Sequence, residues 1–585
     1  MPSNDSMIGS SSRTFWFRDA IIYQIWPASF RDSNDDGMGD IQGIIMSLDY
    51  IKSLGVNTIW LSPMYDSPQV DMGYDISDYE SVYPPYGTVA DMDQLIHQCH
   101  ERGIKLILDL VINHTSDQHA WFKESRSSKT NDKRDWYIWR PPKYDAHGNR
   151  QRPTTGRSNF NQPAWSWDEA TQEYYLHLFC PEQPDLNWTN DECRRNIYKS
   201  AMLFWLDKGI NGFRVDTVNM YSKPMDFPDA PVIDPGADTQ PAGQLYCNGP
   251  MMHTYLKEMG EILERYDAMT VGELPNTPNT ADVVRYVSAA ENELSEVFQF
   301  DLVDLGRNPI DMMSFDGFNL PQMKRVVEKW QRFTQGNDAW TTVFIENHDQ
   351  ARSVSRFASD RPEQVADSAK LLALMNMALT GTVYIYQGQE IGMTNIPKSW
   401  PAEEYLDVNS INYLAAVKKR TNNDANAMAK ALQGVNALGR DNARTPVQWS
   451  SAPNGGFSKT PTTKPWMRTN DNYTTINIES QQQDAHSVLN FYRTAIGVRK
   501  QYASLLARGE FRLIDELDEK VFKFVKIADS GESAFVVLNF SNELQHYDLP
   551  SELGPNADVV LQTTQHGQKG CLAPYEGRLY IAAAN

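Results

Sequence analysis

The sequence predicts an α/β fold in which parallel strands alternate with helices and close into a barrel. Short apolar runs recur along the chain and are separated by helix-like segments such as residues 47–51. Such alternation implies parallel strands joined by crossover helices, and apolar runs bounded by polar groups are typical of strands buried on both faces. Eight runs predict a (β/α)8 TIM barrel: residues 21–25, 56–61, 106–113, 209–216, 269–273, 297–302, 340–345 and 382–386.

The domain organisation follows from the spacing of these runs. Barrel units take about 30 residues each, but the third and fourth strands are separated by about three times that distance. The intervening chain is rich in proline, which indicates an inserted lobe on the catalytic face. After about residue 508 the pattern changes to period-two runs typical of antiparallel strands. We therefore predict barrel residues 15–114, an inserted lobe at 115–185, the rest of the barrel at 186–508 with an excursion at about 401–448, and a C-terminal β domain at 509–585.

Composition excludes several classes of partner. The chain of 585 residues has 54 basic and 75 acidic side chains, a net charge of −21. This charge disfavours nucleic acid and anionic membrane surfaces. No stretch approaches the roughly 20 apolar residues of a membrane-spanning helix. We expect neither nucleic acid nor a membrane as a partner, and the sequence leaves open a monomer or a homodimer.

The N-terminal stretch and the cysteines favour a cytoplasmic location. Residues 1–14 are rich in serine and lack the order of a signal peptide. The cysteines lack the spacing of a metal cluster or a disulfide framework. There are five of them: Cys99, Cys180, Cys193, Cys247 and Cys571.

Three carboxylates follow apolar runs at strand ends. Asp216, Glu273 and Asp349 would all lie at the carboxyl end of the barrel, where the chemistry of this fold is found. Cleavage of an acetal needs one carboxylic acid to protonate the leaving oxygen and a second carboxylate at the electron-poor carbon. A single carboxylate in this position is more often a cap or a solvated group, but three together favour catalysis. Carboxyls about 5 to 5.5 Å apart would indicate a retaining mechanism.

Arg214 precedes Asp216 by two residues and therefore points to the same side of the strand. A fixed cation there would keep Asp216 ionised as a nucleophile. Glu273 would need a raised pKa to serve as the acid.

Five short motifs occur in order along the chain: DLVINH at residues 109–114, QPDLN at 183–187, GFRVDT at 212–217, VGEL at 271–274 and ENHD at 346–349. Their order and spacing resemble glycoside hydrolase family 13, and the resemblance is closest to the fungal α-glucosidases of the maltase and isomaltase type. It implies Asp216 as nucleophile, Glu273 as general acid/base and Asp349 as the third carboxylate. It also assigns His114, Arg214 and His348 to the glucose ring.

Two further matches to the family concern the end of the sugar chain. Tyr74 resembles its stacking tyrosine, Asp75 the aspartate that holds the non-reducing glucose, and Arg444 the arginine that helps to close that subsite. Without the resemblance, Tyr74 would be a half-buried aromatic and Arg444 a solvated loop charge. A closed pocket accepts only a chain end, so the resemblance implies an exo-acting α-glucosidase.

The residue after the nucleophile bears on the linkage that is cleaved. A threonine there, as at Thr217, resembles the maltase type, whereas a valine resembles the isomaltase type. We therefore expect α-1,4 substrates such as maltose, and sucrose, with an oligo-1,6-glucosidase as the alternative. Phe160, Phe179 and Phe300 are candidate walls for the leaving sugar, although ordinary core positions explain Phe160 and Phe300 equally well.

The acidic run at residues 32–40 places oxygen ligands at alternate positions, as a hard cation requires. It is not an EF-hand, because its twelfth position is Gly43 instead of glutamate. The alternative is an acidic turn without metal, and we expect no organic cofactor. The resemblance implies one structural calcium, or else magnesium, held by Asp32, Asn34, Asp36, the Met38 carbonyl and Asp40.

Two other functions remain open at the level of sequence. A catalytically inactive relative, such as the heavy chain of an amino-acid transporter, would keep the barrel as an interaction module, but such proteins usually lose a catalytic carboxylate. A transglycosylase or sucrose isomerase would pass the glycosyl group to a sugar instead of water. The segment at residues 351–356 has two arginines without the arginine-rich pattern of the isomerases. A small sugar is the expected partner in either enzymatic case.

Overall fold

A computed structural model describes residues 15–308, 311, 313–553, 557–565 and 568–584. The stretch 1–14, on which the signal-peptide prediction rests, lies outside these residues. The predicted barrel is confirmed: neighbouring strands pair in parallel in the order β6-β5-β4-β3-β2-β1-β8-β7. The strands are β1 Ile21–Ile25, β2 Thr58–Leu61, β3 Lys105–Leu110, β4 Gly212–Val215, β5 Met269–Glu273, β6 Glu296–Phe298, β7 Thr342–Val343 and β8 Thr382–Tyr386.

The two outer strands of this order, β6 and β7, close the barrel. The Thr342 hydroxyl donates to the Val297 carbonyl across the seam at 3.0 Å. Both strands are shorter than the apolar runs that predicted them. The residues on either side of β7 are buried without strand pairing, whereas the run of β6 continues through Phe300 and Asp301, which are only half-buried. Apolar residues therefore located these strands correctly but did not define their ends.

Helices connect and cover the strands, and their apolar sides pack against the sheet. The helix at Asp191–Ile197 continues through a π-helical segment into Phe204–Asp207. The other main helices are Ile41–Met46, Leu48–Leu54, Val89–Glu101, Ala120–Ser125, Met252–Glu264, Thr280–Val287, Leu320–Phe333, Ser353–Phe357, Val365–Ala378, Val408–Arg420, Ala425–Leu438, Asp441–Arg444, Ile478–Gln483, Val488–Gln501 and Ala503–Leu506.

The long segment between β3 and β4 carries its own small sheet. Trp139–Arg140, Glu173–Leu176 and Trp165–Asp168 form three antiparallel strands. An isolated bridge joins His114 to Asp185, so the two ends of the predicted lobe lie side by side. The exact boundaries of the lobe stay a prediction.

The buried ammonium of Lys223, on the loop after β4, ties this segment to the barrel. It contacts Asp185 at 2.9 Å, Asn113 Oδ1 at 2.8 Å and the Met220 carbonyl at 2.8 Å. One cation therefore joins the lobe, the end of β3 and the β4 loop, and holds them in one arrangement.

The C-terminal antiparallel sheet is also confirmed. Its strands pair in the order β9-β10-β11-β13-β12 around an apolar core of their own. The strands are β9 Glu510–Ile514, β10 Val521–Ile527, β11 Ser533–Asn539, β12 Asp558–Gln562 and β13 Gly577–Ala582.

No helix among the described residues is long and apolar enough to cross a membrane.

Candidate active site

A cavity of about 430 Å³ opens at the carboxyl end of the barrel. The three predicted carboxylates line it together: Asp216 follows β4, Glu273 ends β5 and Asp349 follows β7. The parallel strands bring their carboxyl ends to one face, so residues more than a hundred positions apart in the chain meet here. The cavity is therefore the candidate active site.

Arg214 lies beneath the carboxylates and is fully buried. Its Nη1 lies 2.8 Å from Asp216 Oδ1 and 2.6 Å from Asp109 Oδ1, and its Nη2 contacts Glu273 Oε1. The predicted orientation beside Asp216 is confirmed. Unlike the prediction, however, the guanidinium also contacts Glu273, so it acts on both groups.

Burial sets the ionisation of Asp216 and Glu273. It raises the pKa of each carboxyl to about 7, against the opposing effect of Arg214. The expectation that Arg214 alone would keep Asp216 ionised is therefore too simple. The Thr217 hydroxyl donates to Asp216 Oδ2 at 3.2 Å, a contact that favours the ionised form of Asp216.

Asp349 has the opposite electrostatic environment. Burial would raise its pKa, but His348, Arg440 and Arg444 outweigh burial and hold the pKa well below its usual range. Its oxygens lie 3.0 Å from His348 Nε2, 3.2 Å from Arg440 Nη1 and 3.1 Å from Arg444 Nη2. Asp349 is therefore a permanently charged group at neutral pH.

His348 lies behind the cavity wall and is neutral, since burial lowers its pKa to about 4. Gln24 Nε2 donates to its Nδ1 at 2.8 Å, which leaves the proton on Nε2 facing Asp349. Its ring stacks on Tyr74 with a centroid distance of 5.3 Å. His348 thus orients Asp349 and Tyr74 from behind.

The end wall of the cavity differs from the prediction at Asp75. Asp75 is fully buried and does not line the cavity. Its oxygens accept from the Ser67 hydroxyl and from the backbone amides of Val70 and Asp71, all at 2.9 to 3.0 Å. Asp75 therefore holds the loop, and Asp71 is the carboxylate that faces the cavity.

The structure also differs from the prediction at Arg444, because Arg440 takes the predicted place in the cavity wall. Arg440 lines the cavity and contacts Asp71 at 2.8 Å, whereas Arg444 lies behind it and bonds to the His348 carbonyl at 3.1 Å. Sequence reasoning missed Asp71 and Arg440. Each lies within four positions of the predicted residue, so the right loops were found but not the right side chains.

The remaining predicted residues complete the walls. Tyr74 and His114 line the cavity beside Asp71, and Phe179 packs on His114 with a centroid distance of 5.0 Å. Thr217 also lines the cavity, and its backbone is left-handed (φ 38°, ψ 45°), a conformation that is strained for a β-branched residue. The candidate aromatic walls Phe160, Phe179 and Phe300 all line the cavity.

The predicted calcium loop is closed by its own hydrogen bonds. Asp32 accepts from the amides of Asn34, Asp35 and Gly37, and Asp40 accepts from Ser33 and Gly43. Asn34 and Asp36 bond to each other, and Asp36 also accepts from the Met38 amide.

The oxygen donors suit a hard cation chemically, but their arrangement does not gather them around one point. Within the described part of the chain, no group of three or more acidic, histidine or cysteine side chains is placed to hold a metal ion. The calcium therefore stays a prediction, and no step of the chemistry below uses it.

The barrel and its carboxylate-lined cavity define a glycoside hydrolase. Residues 24–509 match the alpha-amylase family, described as alpha amylase, catalytic domain. The chain belongs to this family, glycoside hydrolase family 13. It is similar to an α-glucosidase of Candida albicans, with 54% identity over 97% of this chain and 99% of that protein.

Two other similarities show how wide the range of related activities is. An oligo-1,6-glucosidase of Saccharomyces cerevisiae is 44% identical over 97% of this chain and 98% of its own. The crystal structure of an isomaltulose synthase mutant from Erwinia rhapontici with sucrose is 37% identical, with a TM-score of 0.90 over 98% of this chain and 100% of that chain. The chain is thus a hydrolase of the α-glucosidase group, and the linkage that it prefers has to be argued from its site.

Proposed function

We propose that the protein is an exo-acting, retaining α-glucosidase that releases glucose from the non-reducing end of short α-glucosides. The ion pair between Asp71 and Arg440, which lines the cavity beside Tyr74 and His114, carries this proposal, since it would close the subsite behind a terminal glucose. A chain that continued past the terminal glucose would meet the ion pair between Asp71 and Arg440. Maltose and sucrose are the proposed substrates.

The contacts of Arg214 support retention of configuration. One guanidinium reaches both Asp216 and Glu273, so their carboxyls lie on either side of a single planar group. This favours the separation of about 5 to 5.5 Å of retaining enzymes over the wider gap that accommodates a water in inverting ones. Asp216 then attacks the anomeric carbon while Glu273 protonates the leaving oxygen.

The pair is suited to carry one proton between two carboxyls near neutral pH. With both pKa values raised by burial, the first proton lost leaves one ionised and one protonated group. Arg214 contacts both carboxyls, so the Thr217 hydroxyl, which donates to Asp216 Oδ2, is the contact that favours the charge on Asp216 and leaves the proton for Glu273. In the second step Glu273, now ionised, takes a proton from the water that cleaves the glycosyl-enzyme.

Asp349 and its partners supply the sugar contacts in this proposal. Its permanent charge suits it to accept hydrogen bonds from ring hydroxyls and to stabilise positive charge at the anomeric carbon. Asp71 and Arg440 would bind hydroxyls on the far side of the terminal glucose. The aromatics Phe160, Phe179 and Phe300, which line the cavity, would contact the leaving group.

Thr217 supports a preference for α-1,4 bonds. It lines the cavity next to the nucleophile, where its hydroxyl and compact side chain meet the reacting bond. The decisive experiment compares kcat/KM for maltose, sucrose and isomaltose. We expect maltose and sucrose to exceed isomaltose at least tenfold. A clear preference for isomaltose would make the protein an oligo-1,6-glucosidase, and isomerised products from sucrose would make it a sucrose isomerase.

The cytoplasmic location and the structural calcium are also proposals. The five cysteines support the first, because none forms a disulfide in the structure. The alternating oxygens of residues 32–40 support the second, on chemical grounds alone.

A further inference from the structure

The wall that faces the terminal glucose is held from behind by a carboxylate that does not line the cavity. Asp407 lies in the excursion after β8, immediately before the helix Val408–Arg420, and its side chain is buried. Its Oδ2 lies 2.8 Å from Arg440 Nη2, 3.0 Å from Arg440 Nε and 2.7 Å from Arg444 Nη1. One oxygen therefore holds both arginines.

The other nitrogens of the two arginines hold the carboxylates on the sugar side. Arg440 contacts Asp71 and Asp349, and Arg444 contacts Asp349. Two cations thus lie between three carboxylates, and Asp407 is the one turned away from the cavity. Burial would raise the pKa of Asp407, but Arg440 and Arg444 outweigh it, so that the group is ionised.

We propose that Asp407 is a positioning residue, which fixes the two arginines where they orient the sugar-facing carboxylates and so sets the affinity for the terminal glucose. This inference rests on the proposed function of the cavity. It gives the excursion after β8 a role: its first helix supplies the anchor for the chain-end subsite. Asp407 itself touches no substrate.

The backbone around Asp407 is fixed well enough to serve as an anchor. Its Oδ1 accepts from the Asn409 amide at 3.0 Å and caps the helix. Asp441 accepts from the Asp407 amide at 2.8 Å and from the Leu406 amide at 2.6 Å. Hydrogen bonds with the backbone therefore fix Asp407 independently of its contacts with the two arginines.

The variant Asp407→Asn separates the two tasks of this side chain. Asparagine is a good helix cap, but its amide has only one acceptor oxygen, whereas Asp407 uses one oxygen for the cap and the other for the arginines. The amide must give up one of these tasks, and its NH2 group would face either the helix amide or the guanidinium groups.

We expect Asp407→Asn to raise KM for maltose and the inhibition constant of free glucose by the same factor, roughly 10- to 100-fold, the range of a lost charge-assisted hydrogen bond. The ratio of kcat/KM for maltose to that for p-nitrophenyl α-glucoside should stay within twofold, because the leaving-group side is untouched. A purely structural role would lower kcat through a smaller active fraction and leave KM and the inhibition constant unchanged. That outcome, or wild-type constants throughout, would overturn the inference.

Asp424→Asn is the matched control. Asp424 caps the next helix of the same excursion through the Ala427 amide at 2.9 Å, and no arginine contact involves it among the described residues. Its variant should have wild-type constants. If Asp407→Asn does not fold, Asp441→Asn takes its place. This variant should raise KM for maltose and the inhibition constant of glucose about 3- to 10-fold, and unchanged values of both would overturn the inference. Absence of any α-glucosidase activity in the wild-type protein would instead refute the proposed function.

Discussion

Replacing Arg214 by lysine tests the electrostatic arrangement of the catalytic pair. The guanidinium uses separate nitrogens for its contacts, Nη1 for Asp216 and Asp109 and Nη2 for Glu273. A lysine ammonium is a point charge on a flexible stem and cannot reproduce this planar fork. At least one charge-assisted hydrogen bond is lost, which costs about 1.5 to 3 kcal/mol. Since about 1.4 kcal/mol corresponds to a factor of ten, kcat/KM should fall roughly 10- to 150-fold.

The pH profile gives the sharper result. Arg214 lowers the pKa of both Asp216 and Glu273, so weakening its contacts must raise both values. The acidic limb of kcat/KM, which follows ionisation of the nucleophile, and the alkaline limb, which follows loss of the acid's proton, should both move to higher pH.

The assay is hydrolysis of p-nitrophenyl α-glucoside between pH 4 and 9. Arg499→Lys controls for the loss of a buried arginine, because within the described part of the chain the guanidinium of Arg499 donates to the backbone carbonyls of Met377, Leu379 and Gly381 and not to a carboxylate. It should lower the unfolding temperature without moving either limb. If Arg214→Lys kept kcat/KM within twofold and both limbs in place, the electrostatic argument would be wrong.

Three further predictions concern other parts of the structure. Asp216→Asn should lower kcat for an aryl α-glucoside by several orders of magnitude with an unchanged unfolding temperature, and near wild-type turnover would refute its role as nucleophile. Thr217→Val should raise the ratio of isomaltose to maltose kcat/KM at least fivefold, and an unchanged ratio would show that linkage is chosen elsewhere. Calcium at a concentration of 100 times its Kd should stabilise the protein by about 2.7 kcal/mol. The unfolding temperature should therefore rise by several degrees between EDTA and calcium chloride, and Asp32→Ala should abolish the difference. Equal unfolding temperatures of the wild-type protein in EDTA and in calcium chloride would refute the structural calcium.

The fold could be predicted from sequence because its main determinants are local. Apolar runs of five to eight residues located all eight barrel strands, and period-two runs located the C-terminal sheet. The end of β7 could not be predicted, since Phe344 and Ile345 beyond it are just as apolar and buried but do not pair. The end of β6 could not be predicted either, because its run continues through Phe300 and Leu302 after the pairing stops at Phe298. Strand pairing depends on neighbours that are distant in sequence.

The residues of the site could likewise be predicted only where local sequence determines their position. Strand ends brought Asp216, Glu273 and Asp349 together as predicted, since parallel strands share one carboxyl face. The choice between Asp71 and its neighbour Asp75 depends on how one loop folds onto itself, which no local pattern reveals. Asp407 could not be found at all, because its importance comes from two arginines more than 30 positions away.

The anomeric configuration of the first product tests the central claim most directly. Proton NMR of maltotriose digestion in the first minutes, before mutarotation, identifies the anomer and the size of the released sugar. An exo-acting retaining enzyme releases α-glucose and leaves maltose with its original reducing end. Initial release of β-glucose would contradict the double displacement through Asp216, and release of maltose from the non-reducing end would contradict the closed chain-end pocket.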